Sequence, residues 1–317
     1  MTLTAQPPPP ARTRAAARAA RVRRRFSVAH GVAAVVLVLG AGTMLYPSAA
    51  AWFSDRAHAT EVSGYVSDVD AAGDSALTRA VDAAQDYNAR LPEGPLRDPF
   101  LLTSDGTAAS VEEGRDEYLS LLRFGDSPTM ARLRIPEIGV DLPIAHGTDA
   151  DTLARGVGHL YGSSLPVGGR GSHAVLSGHS GLPEATLFTH LNELEAGDTF
   201  AIDVAGRTLT YRIDQILTVD PRDGDALRRV PGRDYVTLLT CTPIGVNTHR
   251  LLVRGERVAD ARGDTAARAL APQAADPGLP WWALGAAAAL SVGTAVAWPR
   301  RTRADALAPA HGDRPGE

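Results

Sequence analysis

Three residue types in this chain can together perform acyl transfer. Cys241 is the only cysteine among 317 residues, and it ends the apolar run Thr237-Leu238-Leu239-Thr240-Cys241. A lone thiol cannot close an internal disulfide, so it is a buried filler, an intermolecular bridge or a reactive group. As a nucleophile it must be a thiolate, whereas a free cysteine with a pKa of about 8.5 is mostly protonated near neutrality. An imidazole can take that proton and later deliver it to a leaving amine. A guanidinium supplies several N–H donors for the oxyanion that forms in between. His179 lies in Ser177-Gly178-His179-Ser180-Gly181, and Arg250 follows Cys241 after eight residues that include Pro243, Gly245 and Asn247. That interval lets two adjacent strands turn back and hold Cys241 and Arg250 at one end of a sheet. His146, His173 and His249 compete with His179, and Arg254 and Arg257 compete with Arg250. His249 adjoins Arg250 and therefore points to the opposite face of the same strand. Arg254 and Arg257 read as residues that solvate an exposed face.

The elements around these residues are short. Runs rich in β-branched and aliphatic residues cover Met130–Ile135, Val140–Ile144, His173–Ser177, Thr199–Val204, Thr208–Val219, Asp234–Cys241 and Arg250–Val258. Gly, Pro, Asn and Asp punctuate them, the pattern of a β-sandwich or closed barrel. One helix is predicted inside the series, with Leu187, Phe188, Leu191 and Leu194 on a face and Gly197 as its stop. Upstream, Leu77, Ala80, Val81, Ala84, Tyr87 and Leu91 recur at helical spacing, and a weaker helix is predicted over about Val111 to Arg123. No repeat, phosphate loop or metal-ligand cluster stands out, and Gly168-Gly169-Arg170-Gly171 lacks the spacing of a nucleotide site.

Both ends of the chain read as membrane-associated. An apolar stretch runs from about Val28 to Phe53, and a second from about Leu279 to Trp298 is framed by Trp281, Trp282 and Trp298. Seven arginines precede the first, and Arg300, Arg301 and Arg303 follow the second. Positive flanks stay inside, which predicts cytoplasmic termini and an exterior middle. That middle carries a net charge of about −12, which argues against nucleic acid as a partner. The rival for the first stretch is a cleaved signal peptide ending near Ser48-Ala49-Ala50-Ala51. For the second it is a buried Ala-rich helix.

These residues resemble the sortase family. Thr237-Leu238-Leu239-Thr240-Cys241 matches its TLxTC signature, the continuation through Arg250 to Gly255 looks like the class C, pilus-building branch, and Ser177-Gly178-His179 is similar to its histidine motif. The resemblance implies a closed eight-stranded β-barrel, mostly β with short helices, flanked by two transmembrane helices. It implies Cys241 as nucleophile, His179 as general acid and base, and Arg250 as stabiliser of oxyanion or substrate. Asp98-Pro99-Phe100 is similar to the class C lid motif, in which Asp98 would face Arg250 and Phe100 would cover the thiol. Phe100 stands where tryptophan is frequent, and Ile244 where an aromatic is common. His146-Gly147 matches a further family position with a structural role.

The organisation expected is a basic tail (1–27), a transmembrane helix (28–53), a helical and lid region (54–124), a catalytic barrel (125–260), a linker (261–278), a second transmembrane helix (279–299) and a tail (300–317). The activity implied is transpeptidation without a cofactor: cleavage of an LPxTG-like sorting signal on a secreted surface protein, and transfer to the lysine of a neighbouring pilin. A wall-anchoring sortase with a peptidoglycan-precursor amine as acceptor is the alternative within the family. A non-catalytic surface scaffold is the alternative outside it.

Overall fold

The computed structural model describes residues 27–92, 114–258 and 277–298. The chain divides into two compact units, residues 44–284 and residues 1–43 with 285–317.

The larger unit is built on eight strands: β1 (Thr129–Ile135), β2 (Val140–His146), β3 (Val157–His159), β4 (Ser172–Ser177), β5 (Thr199–Val204), β6 (Arg207–Val219), β7 (Asp234–Thr242) and β8 (His249–Arg257). They close into a barrel in the order β1-β2-β3-β4-β7-β8-β6-β5. The β2–β3 and β4–β7 pairs are parallel and the other pairs are antiparallel. Closure leaves no unpaired strand edge. The interior is filled by alternate residues of each strand, among them Leu133, Ile144, Leu176, Ile202, Tyr211, Leu238 and Val253. Arg132 is buried at the wall and held by two bonds of 2.6 Å to the Asp141 carboxylate, so its charge is paired where desolvation would otherwise be costly.

Among the described residues there are five α-helices. The first, α1 (Val28–Ala72), continues well past the apolar stretch expected to end at Phe53. Beyond it Val62, Tyr65 and Val69 repeat at spacings of three and four and are buried, so the continuation is an ordinary amphipathic helix. α2 (Asp74–Arg90) buries Leu77, Val81, Ala84 and Tyr87, the face expected from their spacing. Its Asn88 donates to the Leu165 carbonyl at 3.0 Å and accepts from the Leu165 amide at 2.7 Å. α3 (Arg115–Ser120) is shorter than expected, and α4 (Ala150–Arg155) has no counterpart among the expected elements; Asp149 caps it, accepting from the Thr152 amide at 3.0 Å.

The helix expected around Leu187–Leu194 is absent. Leu187 takes a left-handed φ of 38°. The amides of Thr189, Leu191 and Glu193 bond three residues back, giving successive tight turns with only Leu191–Glu193 helical. The apolar residues are nonetheless buried, at 3% exposure or less for Leu187, Phe188 and Leu191, because they plug the barrel as a folded loop.

In the smaller unit, α1 meets α5 (Trp281–Ala297) at a small residue: a Cβ on Gly293 would lie 2.9 Å from Val38 Cγ2. Among the described residues α1 is the one helix long and apolar enough to cross a membrane, and α5, at 17 residues, is shorter.

Candidate active site

Strand alternation sends the two faces of the β4–β7–β8 sheet into different surroundings. Val236, Leu238, Leu251 and Val253 point into the barrel, as do Ala174 and Leu176. The intervening residues point outward. Val175, Leu239 and Leu252 meet Leu160 and Leu227 there in a second apolar cluster, with Leu217, Val219 and Ala226 at its margin. β6 joins this face through an irregularity. Its register slips between Ile213 and Gln215, which switches the alternation as a bulge does. Leu209, Tyr211 and Ile213 therefore fill the interior, while Leu217 pairs with Leu252 on the outside.

Cys241 continues the outward series Tyr235, Thr237, Leu239, so the thiol stands at the end of this apolar floor, partly exposed. Arg250 is its direct partner across the β7–β8 ladder and is also paired with Val219 of β6. Opposed residues in such a ladder have Cβ atoms about 4.5–5.5 Å apart. The Arg250 side chain is buried, and its Nη1 donates to the carbonyls of Asn247 at 3.2 Å and His249 at 3.1 Å. These bonds fix the guanidinium beside the turn that joins the strands. Asn247 supports that turn with a left-handed φ of 59°, and its amide donates to the Pro243 carbonyl at 2.9 Å.

His179 reaches the same place from β4. The parallel register pairs Ser177 with Leu239, and carried two residues further it sets His179 beside Cys241. Hydrogen bonds bracket that extension. The Gly178 amide donates to the Leu239 carbonyl at 3.1 Å, Thr240 Oγ1 to the Gly178 carbonyl at 2.7 Å, and Ser180 Oγ to the Cys241 carbonyl at 2.8 Å. From the other side the Phe188 amide donates to the His179 carbonyl at 3.0 Å. Gly178 is required by proximity, since a Cβ there would lie 2.9 Å from the Phe188 ring. Desolvation pulls the half-buried His179 below the ordinary imidazole pKa. The three residues singled out in the sequence thus meet at one end of the outward face.

The competing residues go elsewhere. His146 shares a hydrogen bond of 2.9 Å with the Leu121 carbonyl and lies edge-on to Tyr118. His173 is buried between the Arg228 carbonyl at 2.9 Å and Thr237 Oγ1 at 2.7 Å, and burial lowers its pKa to about 4. His249 is exposed. Arg254 and Arg257 differ from expectation: neither merely solvates a surface. Arg254 holds Asp214 at 2.6 Å and stacks over Tyr235 at 4.2 Å, and Arg257 lies over Tyr211. Both use long apolar stems and planar heads against aromatic rings, which charge alone does not reveal. Asp98 and Phe100 lie outside the described residues.

Several contributors were not singled out in the sequence. Leu239 and Leu252 make the floor beneath the thiol, and alternation counted back from Cys241 would have found Leu239. Thr240 and Ser180 stitch the histidine segment to β7, and no sequence signal marks their partners. Arg229 donates to the carbonyls of Asn88, Leu91 and Pro92, tying the loop that carries Leu227 to the end of α2. Among the described residues no three His, Cys, Asp or Glu side chains group as a metal site.

Comparison with known proteins points one way. A family model described as the sortase domain matches residues 133–258. The chain is 36% identical over 158 residues to sortase D of Bacillus subtilis (strain 168), covering 49% of this chain and 76% of that protein. Among solved structures it is similar to sortase C-1 from Actinomyces oris, at 48% identity and a TM-score of 0.54 over 58% of this chain and 99% of that one. It is likewise similar to Streptococcus pneumoniae sortase C, at 37% identity and a TM-score of 0.53, covering 61% and 93%.

Proposed function

This chain belongs to the sortase family of cysteine transpeptidases, and on that footing we propose that it is a membrane-anchored pilus polymerase in which Cys241, His179 and Arg250 carry the reaction. The observation that carries the assignment is the cross-strand pairing of Cys241 with Arg250 at the end of an apolar outward face, with His179 in the adjoining register.

The substrate is an extended segment resembling Leu-Pro-x-Thr-Gly near the C-terminus of a secreted surface protein. The buried cluster of Val175, Leu239 and Leu252 backs the site, and its partly exposed margin at Leu217 and Val219 suits the aliphatic part of the signal and leaves the threonine carbonyl at the sulfur. The Cys241 thiolate attacks that carbonyl carbon, and the charge that develops on oxygen is met by the Arg250 guanidinium. Fixed donors of this kind are worth about 10²–10³ in rate. Collapse of the tetrahedral intermediate breaks the Thr–Gly bond, the His179 imidazolium protonates the departing glycine amine, and the acyl group stays on sulfur as a thioester. A lysine amine of a second pilin then attacks, neutral His179 takes its proton, and the thiolate leaves. One peptide bond is exchanged for one isopeptide bond.

Two features support the finer reading. The similar solved structures are class C sortases, and that of the Streptococcus pneumoniae enzyme bears on pilin substrate specificity. The long apolar helix suits an anchor, with α5 as a second span, both basic termini cytoplasmic and the barrel outside. Asp98 and Phe100 act as a lid over the thiol in this reading.

Incubation of the full chain with a pilin that carries a sorting signal tests the proposal. An SDS-stable ladder is expected, lost when the acceptor lysine of the pilin is replaced. Transfer only to short cell-wall amines, with no ladder, would instead identify a wall-anchoring enzyme.

A further inference from the structure

The long helix carries a stripe that the chemistry above does not use. Trp52, Asp55, His58 and Val62 succeed one another at spacings of three or four residues and so share a helix face. At its lower end Trp52, Phe53 and Trp282 form a cluster with ring centroids 5.1 to 6.3 Å apart, and Trp52 Nε1 donates to the Gly278 carbonyl at 3.1 Å. Indole rings at the end of an apolar span mark the headgroup level of a bilayer. One turn further on, Asp55 and His58 line a cavity of about 210 Å³, shared with Asp141, Thr186, Leu187 and Pro277.

The polar groups of this region are incompletely satisfied. His58 is 4% exposed, and its Nδ1 is buried with no hydrogen-bond partner. Trp282 Nε1 is likewise buried without an acceptor. A buried polar group without a partner is destabilising, so the His58 acceptor calls for a donor and the Trp282 N–H of the adjoining aromatic cluster for an acceptor. Burial raises the Asp55 pKa and lowers that of His58, each shift partly offset by the other group's charge and, for His58, by a hydrogen bond to the Arg155 backbone and the charge of Glu61; a cation placed between the two would favour the Asp55 carboxylate. Asp141 is already paired with Arg132. A metal ion is a poor candidate, because the described residues offer no group of three ligands. A primary ammonium carries three N–H donors on a compact head and matches one carboxylate and one imidazole acceptor.

We propose that this cavity binds the primary ammonium of an aminophospholipid headgroup, fastening the barrel to the membrane surface through Asp55 and His58. The phosphate two carbons away would fall toward the aromatic cluster, where the Trp282 N–H lacks an acceptor. A choline headgroup has no N–H donors and three added methyl groups, so the site discriminates by chemistry as well as by size. The inference rests on the membrane anchoring proposed above.

The full chain in nanodiscs of equal phosphatidylethanolamine, phosphatidylcholine and phosphatidylglycerol, followed by native mass spectrometry of the released protein, tests it. Phosphatidylethanolamine should be retained about tenfold over phosphatidylcholine, equivalent to about 1.4 kcal/mol. Asp55→Asn and His58→Ala should each abolish that preference while Cys241 still forms its thioester, which shows that the barrel has folded. Equal retention of the lipids, or an unchanged preference in both variants, overturns the proposal. Saturable competition by N-acetyl-lysine amide at micromolar concentration would assign the cavity to a soluble amine and overturn the lipid assignment too. A protein that fails to enter the discs removes the anchoring reading and this one together, whereas entry without headgroup preference removes only this one.

Discussion

The two faces of the β4–β7–β8 sheet are made by alternate residues of the same strands, and they do opposite work. Inward, Leu176, Leu238 and Val253 are fully buried in the barrel core. Outward, the same strands carry an apolar strip that ends in a partly exposed thiol, a buried guanidinium and a half-buried imidazole. A one-residue shift in register would exchange the two sets. The hydrogen bonds around Gly178 and the β7–β8 ladder therefore decide function as much as the catalytic groups themselves.

The contrast is broken most severely on the outward face. Cys241→Ala should lower transpeptidation by more than about 10³-fold, as expected when a nucleophile is removed, with a thermal midpoint close to the parent. Arg250→Lys should cost about 10²-fold in kcat/KM while peptide binding changes little, because a lysine loses the planar fork of donors. Steady-state kinetics with a fluorogenic sorting peptide separate these effects. If the lysine variant kept full activity, the guanidinium would not be the oxyanion partner.

On the inward face the currency is stability. Leu238→Ala should reduce unfolding free energy by about 2–5 kcal/mol through lost burial and a residual cavity, read by urea denaturation, and leave kcat/KM of the folded fraction unchanged. Leu217→Ala, at the margin of the outward strip, should do the reverse on a smaller scale: KM should rise a few-fold and stability should shift by less than about 1 kcal/mol.

The histidines sharpen the same division. His159 is buried between Tyr118 and the Ser164 carbonyl, and burial lowers its pKa to about 4, as it does for His173. Their folded values lie below the unfolded value near 6.5, so the unfolded chain binds protons first as pH falls. The stability they carry is complete above about pH 6.5 and declines between there and pH 4, by on the order of 3 kcal/mol each at the limit. Urea midpoints measured across that range should fall steadily, and a flat profile would mean that neither ring is held neutral. His179, lowered only by desolvation, should instead appear as an acid limb of kcat/KM lying below pH 6.5.

How much of this was legible in the chain depended on the length and regularity of each element. Strands such as Asp234–Thr242 and Thr199–Val204 announced themselves by β-favouring runs between turn residues, and Thr237-Leu238-Leu239-Thr240-Cys241 carried both its strand and its chemistry. β3 did not, because three residues containing Gly158 give no period to read. The loop through Leu187 and Leu194 mimicked a helix because its apolar spacing suits a helical face, while one left-handed residue sets the turns. The extension of α1 to Ala72 was hidden beneath a stronger apolar signal before Phe53. The outward floor was half visible, since alternation finds Leu239 but the slip in β6 that adds Leu217 has no signature in composition. Asp98 and Phe100 lie outside the described residues.

The most direct test is to quench the full chain with a sorting peptide and map the covalent adduct by mass spectrometry. The account predicts a single acyl group, the peptide up to its threonine, on Cys241, and its loss in His179→Ala. Product formation with no adduct on that sulfur, or with the acyl group on another residue, would contradict it.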